Sequence, residues 1–293
     1  MLQQVVQQVV AGVASGSIYA CIALAIVMIH QAIDHVNFAQ GEMAMFSTYL
    51  AWQGLQWGWP FPLCFVVAVA LSVALGMALD RLVFRPLHAA PALSQIVAFI
   101  ALYALFNSLA GFIWTTEVRE FPSPFGNKPL FGSGLISAHQ AGMIGVTLLV
   151  LAGLVLFFRA TRVGLAMRAA AANPESARLV GIRVGWMMAL GWGMAAGIGA
   201  VAGMLIAPVV FLEPHMMGGV LLYGLAAAVV GGLTSPAGAV VGGVLVGIVE
   251  NLAGTFIPVV GSELKLPIAL FVIVAVLAVK PSGLFGRRVV FRV

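Results

Sequence analysis

The chain is poor in charge, and that shortage decides most of what it can be. Of its 293 residues, only 8% are Asp, Glu, Lys or Arg, against about a quarter in an ordinary soluble domain. No charged side chain precedes Asp34, so the start lacks the basic stretch of a cleavable signal peptide. The two cysteines, Cys21 and Cys64, each lie in an apolar run. They make neither a disulfide framework nor a zinc site, and they read as packing residues. None of the three lysines follows a glycine, so the phosphate-binding pattern G-x-x-x-x-G-K-[ST] is missing. The chain therefore does not itself hydrolyse ATP. No G-x-S-G and no paired aspartates occur within the apolar runs. An intramembrane enzyme is set aside, and neither catalytic residues nor a cofactor is expected.

What is abundant is apolar. Hydrophobic residues make up 62% of the chain, and its mean hydropathy is +1.10. A span needs about 20 apolar residues, and the sequence divides into stretches at 9–29, 38–57, 61–80, 92–114, 141–158, 185–210, 217–232, 238–257 and 265–280. The expected fold is all-α: a polytopic transmembrane helical bundle of about nine spans, one membrane domain over 1–293. Eleven of the 14 basic residues fall on one set of connectors, near 81–91, at 159–184 and in the tail. Only Arg119, Lys128 and Lys265 fall on the other. The positive-inside rule makes the first set cytoplasmic, and the carboxyl end with it. The largest outer loop is then 115–140, irregular because of Pro122, Pro124 and Pro129, with room for a short surface helix. Trp52, Trp57 and Trp59 gather at one span end as an interfacial belt.

Two features break this simple pattern. The stretch 30–42, HQAIDHVNFAQGE, places His30, Asp34, His35, Asn37, Gln40 and Glu42 between apolar helices. It reads as a cytoplasmic turn or as a broken helix at membrane depth, where unwound backbone lines a cavity. Asn37, Gln40, Gly41 and Glu42 are the candidates to line a pathway, since polar groups in spans are costly and usually functional. The competing reading is that they cap two half-helices. His30, Asp34 and His35 more often satisfy local backbone than hold a metal, and no metal site is expected. Glu250, beside Asn251 in the eighth span, is a further pathway candidate, with an outer-interface position as the alternative. Glu213, Pro214 and His215 mark an outer turn. Glycines also recur four apart, at Gly12/Gly16, Gly193/Gly197, Gly199/Gly203, Gly238/Gly242 and Gly243/Gly247. Such pairs let helix backbones approach closely in lipid, and packing within the chain is the expected use.

The second feature is the cationic island RATRVGLAMRAAAANPESARLVGIR, with five arginines at 159, 162, 168, 178 and 183. Within it, Asn173 is a helix cap and Pro174 suits the first turn. Glu175 favours the positive end of the helix dipole. Arg178 falls in the last turn, and Gly181 suits the stop. A short amphipathic helix over 174–180 follows, with an apolar side from Ala177 and residues 179–182. It is a docking element for a cytoplasmic partner, or else a solvated loop.

The island resembles the cytoplasmic loop of LivH-like permease subunits of branched-chain amino acid ABC importers, R-x-T-x-x-G-x-A-x-R-A-x-A-x-N-x-x-x-A-x-L-x-G-I. It is matched at Arg159, Thr161, Gly164, Ala166, Arg168, Ala169, Ala171, Asn173, Ala177, Leu179, Gly181 and Ile182. Val36 to Glu42 (VNFAQGE) is similar to the family's I-N-F-A-H-G-E, with Gln40 in place of the usual histidine. A third pattern runs from Gly231 and Gly232 through Ser235, Gly238, Ala239, Gly242, Gly243 and Gly247 to Glu250. The resemblance implies half of an ATP-driven importer for branched-chain or other amino acids, or for urea or short amides, in a bacterial inner membrane. It implies two cytoplasmic ATP-binding subunits, a second, LivM-like permease and a periplasmic substrate-binding protein. Asn173, Pro174, Glu175, Ala177, Arg178 and Gly181 would then form the coupling helix seated in an ATPase. The alternative class is an ion-coupled secondary transporter using His30, Asp34 and Glu42 as a proton relay. Acidic residues at depth are sparse for that.

Overall fold

Each of the nine apolar stretches folds into a helix. The computed structural model describes residues 2–33, 36–87, 90–126, 128–130, 136–257 and 264–286. In chain order the helices are α1 (Leu2–Ile33), α2 (Gln40–Gln56), α3 (Phe61–Leu79), a π-helical segment (Asp80–Phe84) and α4 (Arg85–Leu87). They continue with α5 (Ala92–Trp114), α6 (Ala138–Ala160), α7 (Arg162–Ala172), α8 (Pro174–Leu179) and α9 (Val184–Val210). The last three are α10 (Met217–Gly231), α11 (Pro236–Phe256) and α12 (Lys265–Val279). Among the described residues, six helices are long and apolar enough to cross a membrane: α1, α3 with its extension to Leu87, α5, α6, α9 and α11. The apolar helices α10 and α12 are shorter, and α2 has 17 residues. The chain is thus a multi-pass helical membrane protein. Among the described residues of the 115–137 connector no helix forms. The backbone there makes isolated bridges, Arg119 with Leu212 and Pro129 with Ser137.

The chain divides into two compact units. One comprises Met1–Val27, Pro122–Gly145 and Gly218–Val293; the other comprises Met28–Phe121 and Val146–Met217. In the first, α1 lies against α11 at backbone distance. A Cβ added at Gly12 would sit 2.6 Å from Ile248 Cα, and one at Gly16 would sit 2.7 Å from the Gly243 oxygen. Gly238 and Gly242 of α11 close in the same way on Gly231 and Ala227 of α10. Only glycine permits such approaches, which replace the hydrophobic force that lipid does not supply.

In the second unit α9 carries two such seams. Gly193 and Gly197 meet Val73 of α3, while Gly199 and Gly203 meet Gln40, Ala44 and Thr48 of α2. The second pair is offset from the first by six residues, which turns the two seams to different sides of one helix. The glycine pairs therefore serve packing within the chain. Polar ties follow the same lines: Ser47 Oγ donates to Ser72 Oγ at 2.9 Å, and Ser72 donates to the Ala196 oxygen at 2.9 Å. Cys21 and Cys64 are both buried. Trp57 and Trp59 are exposed at the end of α2 and stack edge to face.

Candidate pathway and coupling sites

The break between α1 and α2 lies at the depth of other helices' middles. Gln40, the first residue of α2, donates from Nε2 to the Ala195 oxygen at 2.9 Å. Ala195 lies roughly 17 Å along α9 from its start at 1.5 Å per residue. Glu42, in the first turn of α2, meets Asn107, about 22 Å along α5 on the same rise. The far end of α2 stays level with the end of α5, because Trp114 Nε1 donates to Gln53 Oε1 at 2.9 Å. α2 thus starts near mid-span, and residues 36–39 before it are non-helical, with Asn37 and Ala39 buried. Unwound backbone at that depth survives only where protein surrounds it. Of the two readings of 30–42, this geometry is that of the broken helix. Asp34 and His35 lie outside the described residues.

The four candidates at this break fall together, and each has a distinct part. Asn37 Oδ1 accepts from the Ala39 amide at 2.9 Å, and its amide reaches Gln40 Oε1 at 3.4 Å. Asn37 and Gln40 therefore bond each other and hold the turn, while no side chain caps the start of α2. Gly41 is buried. Glu42, only 1% exposed, accepts from Asn107 Nδ2 at 3.3 Å. That same amide lies 2.8 Å from the Pro214 oxygen and 3.1 Å from His215 Nδ1. A polar chain thus runs from the buried carboxyl through Asn107 to the turn at 213–215, where His215 is exposed. Sequence reading overlooked Asn107. Its signal was a lone amide in the apolar run ALYALFNSLAGF.

Glu250 belongs to the other unit. It is 9% exposed and accepts from the Tyr19 hydroxyl at 2.7 Å. The Tyr19 ring stacks on Tyr223 at 4.8 Å. Three helices, α1, α10 and α11, thus converge on one carboxyl. Tyr19 and Tyr223 were also missed, although tyrosines far from span ends signal a buried hydroxyl seeking a partner.

The island 159–184 is two helices rather than one. α6 runs on to Ala160, and Thr161 then caps α7 by accepting from the Gly164 amide at 2.9 Å while donating to the Phe157 oxygen at 2.7 Å. Gly164 packs directly on the Phe157 and Phe158 backbone, which leaves no room for a Cβ. α8 begins as expected: Asn173 Oδ1 accepts from the Ser176 amide at 2.9 Å, and Pro174 occupies the first turn. It ends with Gly181 at φ +84°. The Gly181 amide bonds the Arg178 oxygen and the Ile182 amide bonds the Ala177 oxygen, the paired arrangement of a Schellman stop. The apolar side of α8 is divided. Ala177, 3% exposed, packs inward with Ala170 and Val184, whereas Leu179 and Val180 are 89% and 75% exposed. Glu175 and Arg178 are exposed beside them.

Residues 8–277 match the family described as "Branched-chain amino acid transport system / permease component", and the chain belongs to that family of membrane permeases. Among its relatives, the high-affinity branched-chain amino acid transport system permease protein LivH of Escherichia coli is 30% identical, covering 98% of this chain and 97% of its own. BraD of Pseudomonas aeruginosa, a permease protein of the same description, is 30% identical with the same coverage. A probable LivH of Methanocaldococcus jannaschii is 27% identical over 90% of this chain and 87% of its own.

Proposed function

We propose that this chain is a membrane-spanning subunit of an ATP-driven ABC importer for branched-chain or other amino acids, working in the bacterial cytoplasmic membrane. The observation that carries the reading is similarity along nearly the whole chain to permeases of branched-chain amino acid transport. The energy source follows from a second observation. The chain has no phosphate-binding loop, so work must enter through a contact. The capped helix α8, with Leu179 and Val180 exposed, supplies a surface for that contact. In this reading the carboxyl end is cytoplasmic, and α8 seats in one of two ATP-binding subunits. A second permease completes the pathway, and a periplasmic binding protein delivers the substrate. Asn37, Gln40, Gly41 and Glu42 line the path at the α1–α2 break, and Glu250 contributes from α11. Asn173 and Gly181 fix the ends of the coupling helix.

The test is uptake. Cells lacking the chain should lose high-affinity import of labelled leucine, isoleucine or valine, and proteoliposomes holding the complex should require enclosed ATP. Uptake driven by an ion gradient without ATP would replace the reading with a secondary transporter. ATP-dependent uptake of urea or a short amide, but not of amino acids, would keep the mechanism and change the substrate.

A further inference from the structure

A second site lies where α3 ends and α9 begins. There α3 passes into the π-helical segment Asp80–Phe84, a feature that often marks function in membrane and soluble helices alike. Phe84 turns inward and stacks on Phe99 at 4.6 Å and on Trp192 at 4.4 Å. Two arginines of the same stretch are exposed instead. The Arg81 guanidinium lies 3.7 Å from the centre of the Trp186 ring. The Arg85 guanidinium lies beside Gly185, where an added Cβ would come within 3.3 Å of it. A third, Arg183, lines with Trp186, Ala166, Ile182 and Met187 a shallow, open groove. Asp80, the acidic residue next to this group in sequence, is buried.

We propose that Arg81, Arg85 and Arg183, gathered on Gly185 and Trp186, form a headgroup seat for an anionic phospholipid. Three guanidinium groups offer fork-shaped donors that suit a phosphodiester. Their level suits a lipid, because they meet the first turn of α9, at a span end where headgroups lie. Trp186 is half exposed there, as interfacial tryptophans are. Leu82, beside Arg81, is exposed to meet an acyl chain. Basic pockets between transmembrane helices are the usual seats of such lipids. Among the described residues no other island arginine meets a guanidinium stacked over a ring, although Arg168 lines a pocket with Phe158 and Arg159 an apolar groove. The leaflet, the cytoplasmic one, rests on the topology proposed above. Binding itself does not, because vesicles present lipid on both faces.

The experiment uses the delipidated full-length chain, purified with its partner subunits. Phosphatidylglycerol titrated into detergent should raise the melting temperature to a plateau and should survive as an adduct in native mass spectrometry. Phosphatidylcholine should do neither. R81Q/R85Q/R183Q should weaken phosphatidylglycerol binding at least tenfold, and R159Q/R162Q/R178Q should leave it unchanged. If the first triple variant does not fold, Arg183→Gln and Gly185→Ala alone should each weaken binding several-fold, the latter by pushing Arg85 off its seat. Equal binding by wild type and both single variants overturns the proposal. So does equal protection by inorganic phosphate, which would make this a free-anion site. Displacement of the ATP-binding subunits by the arginine changes, with lipid binding intact, also overturns it and makes the cluster a protein contact. Absence of ATP-dependent uptake by the wild-type complex, with lipid binding intact, would instead count against the transport reading.

Discussion

Glu42 and its neighbours show how a few polar atoms are tolerated inside a span. Gln40 bonds the Ala195 oxygen, and Glu42 is held by Asn107. Interhelical hydrogen bonds in membranes contribute about 0.6 kcal/mol on average and about 1.7 at most. Gln40→Leu should therefore lower stability by no more than about 2 kcal/mol on the same scale, read by denaturant-titrated unfolding in micelles. Glu42→Gln keeps an acceptor oxygen for Asn107 and replaces the other carboxyl oxygen by an amide donor. It should leave the fold intact while cutting uptake at least tenfold, through KM if the carboxylate meets a cationic group of the substrate. Unchanged uptake in that variant would reduce Glu42 to a packing role. Glycine positions are stricter. At Gly16 a Cβ would face the Gly243 oxygen and Val244 Cα at 2.7 and 2.8 Å, so Gly16→Ala should cost about 1–3 kcal/mol, as overpacking does.

Among the helices, α8 separates folding from work most cleanly. Leu179 and Val180 are exposed, so L179D/V180D should change stability by no more than about 0.5 kcal/mol. If α8 seats in an ATPase, the same pair should reduce uptake and substrate-stimulated ATP hydrolysis at least tenfold. Ala177→Phe acts differently. It overfills the contact with Ala170 and Val184 and should destabilise by about 1–3 kcal/mol, so a transport defect there reports packing. The sequence made α8 legible because capping chemistry is local: Asn173, Pro174, Glu175 and Gly181 each specify backbone within a few residues. Thr161 and Gly164 specify α7 by the same means, and the charge of the island masked them. Which apolar residues of α8 turn inward was not legible, because that depends on where α9 returns. That each apolar stretch is a helix was equally plain from hydropathy. The mid-depth start of α2 was open in the sequence, since it is set by the partners of Gln40 and Glu42 on α9 and α5, more than 60 residues away.

For the whole molecule, the sidedness set by the arginines is open to a labelling test that charge counting alone does not supply. Leu179→Cys should react with an impermeant maleimide only from the cytoplasmic side, and Val118→Cys, exposed in the connector after α5, only from outside. Labelling of both from one side would refute the proposed topology. The chain is well suited to that measurement for a reason already built into its packing. Cys21 lies within α1 and Cys64 within α3, both below 4% exposed. A bulky, water-borne electrophile has no approach to either sulfur while the helices stay together. The natural protein should thus be silent to such reagents until it unfolds. Each introduced thiol can be read without first removing the native ones, and late labelling of the unaltered chain becomes a clock for the opening of its helices.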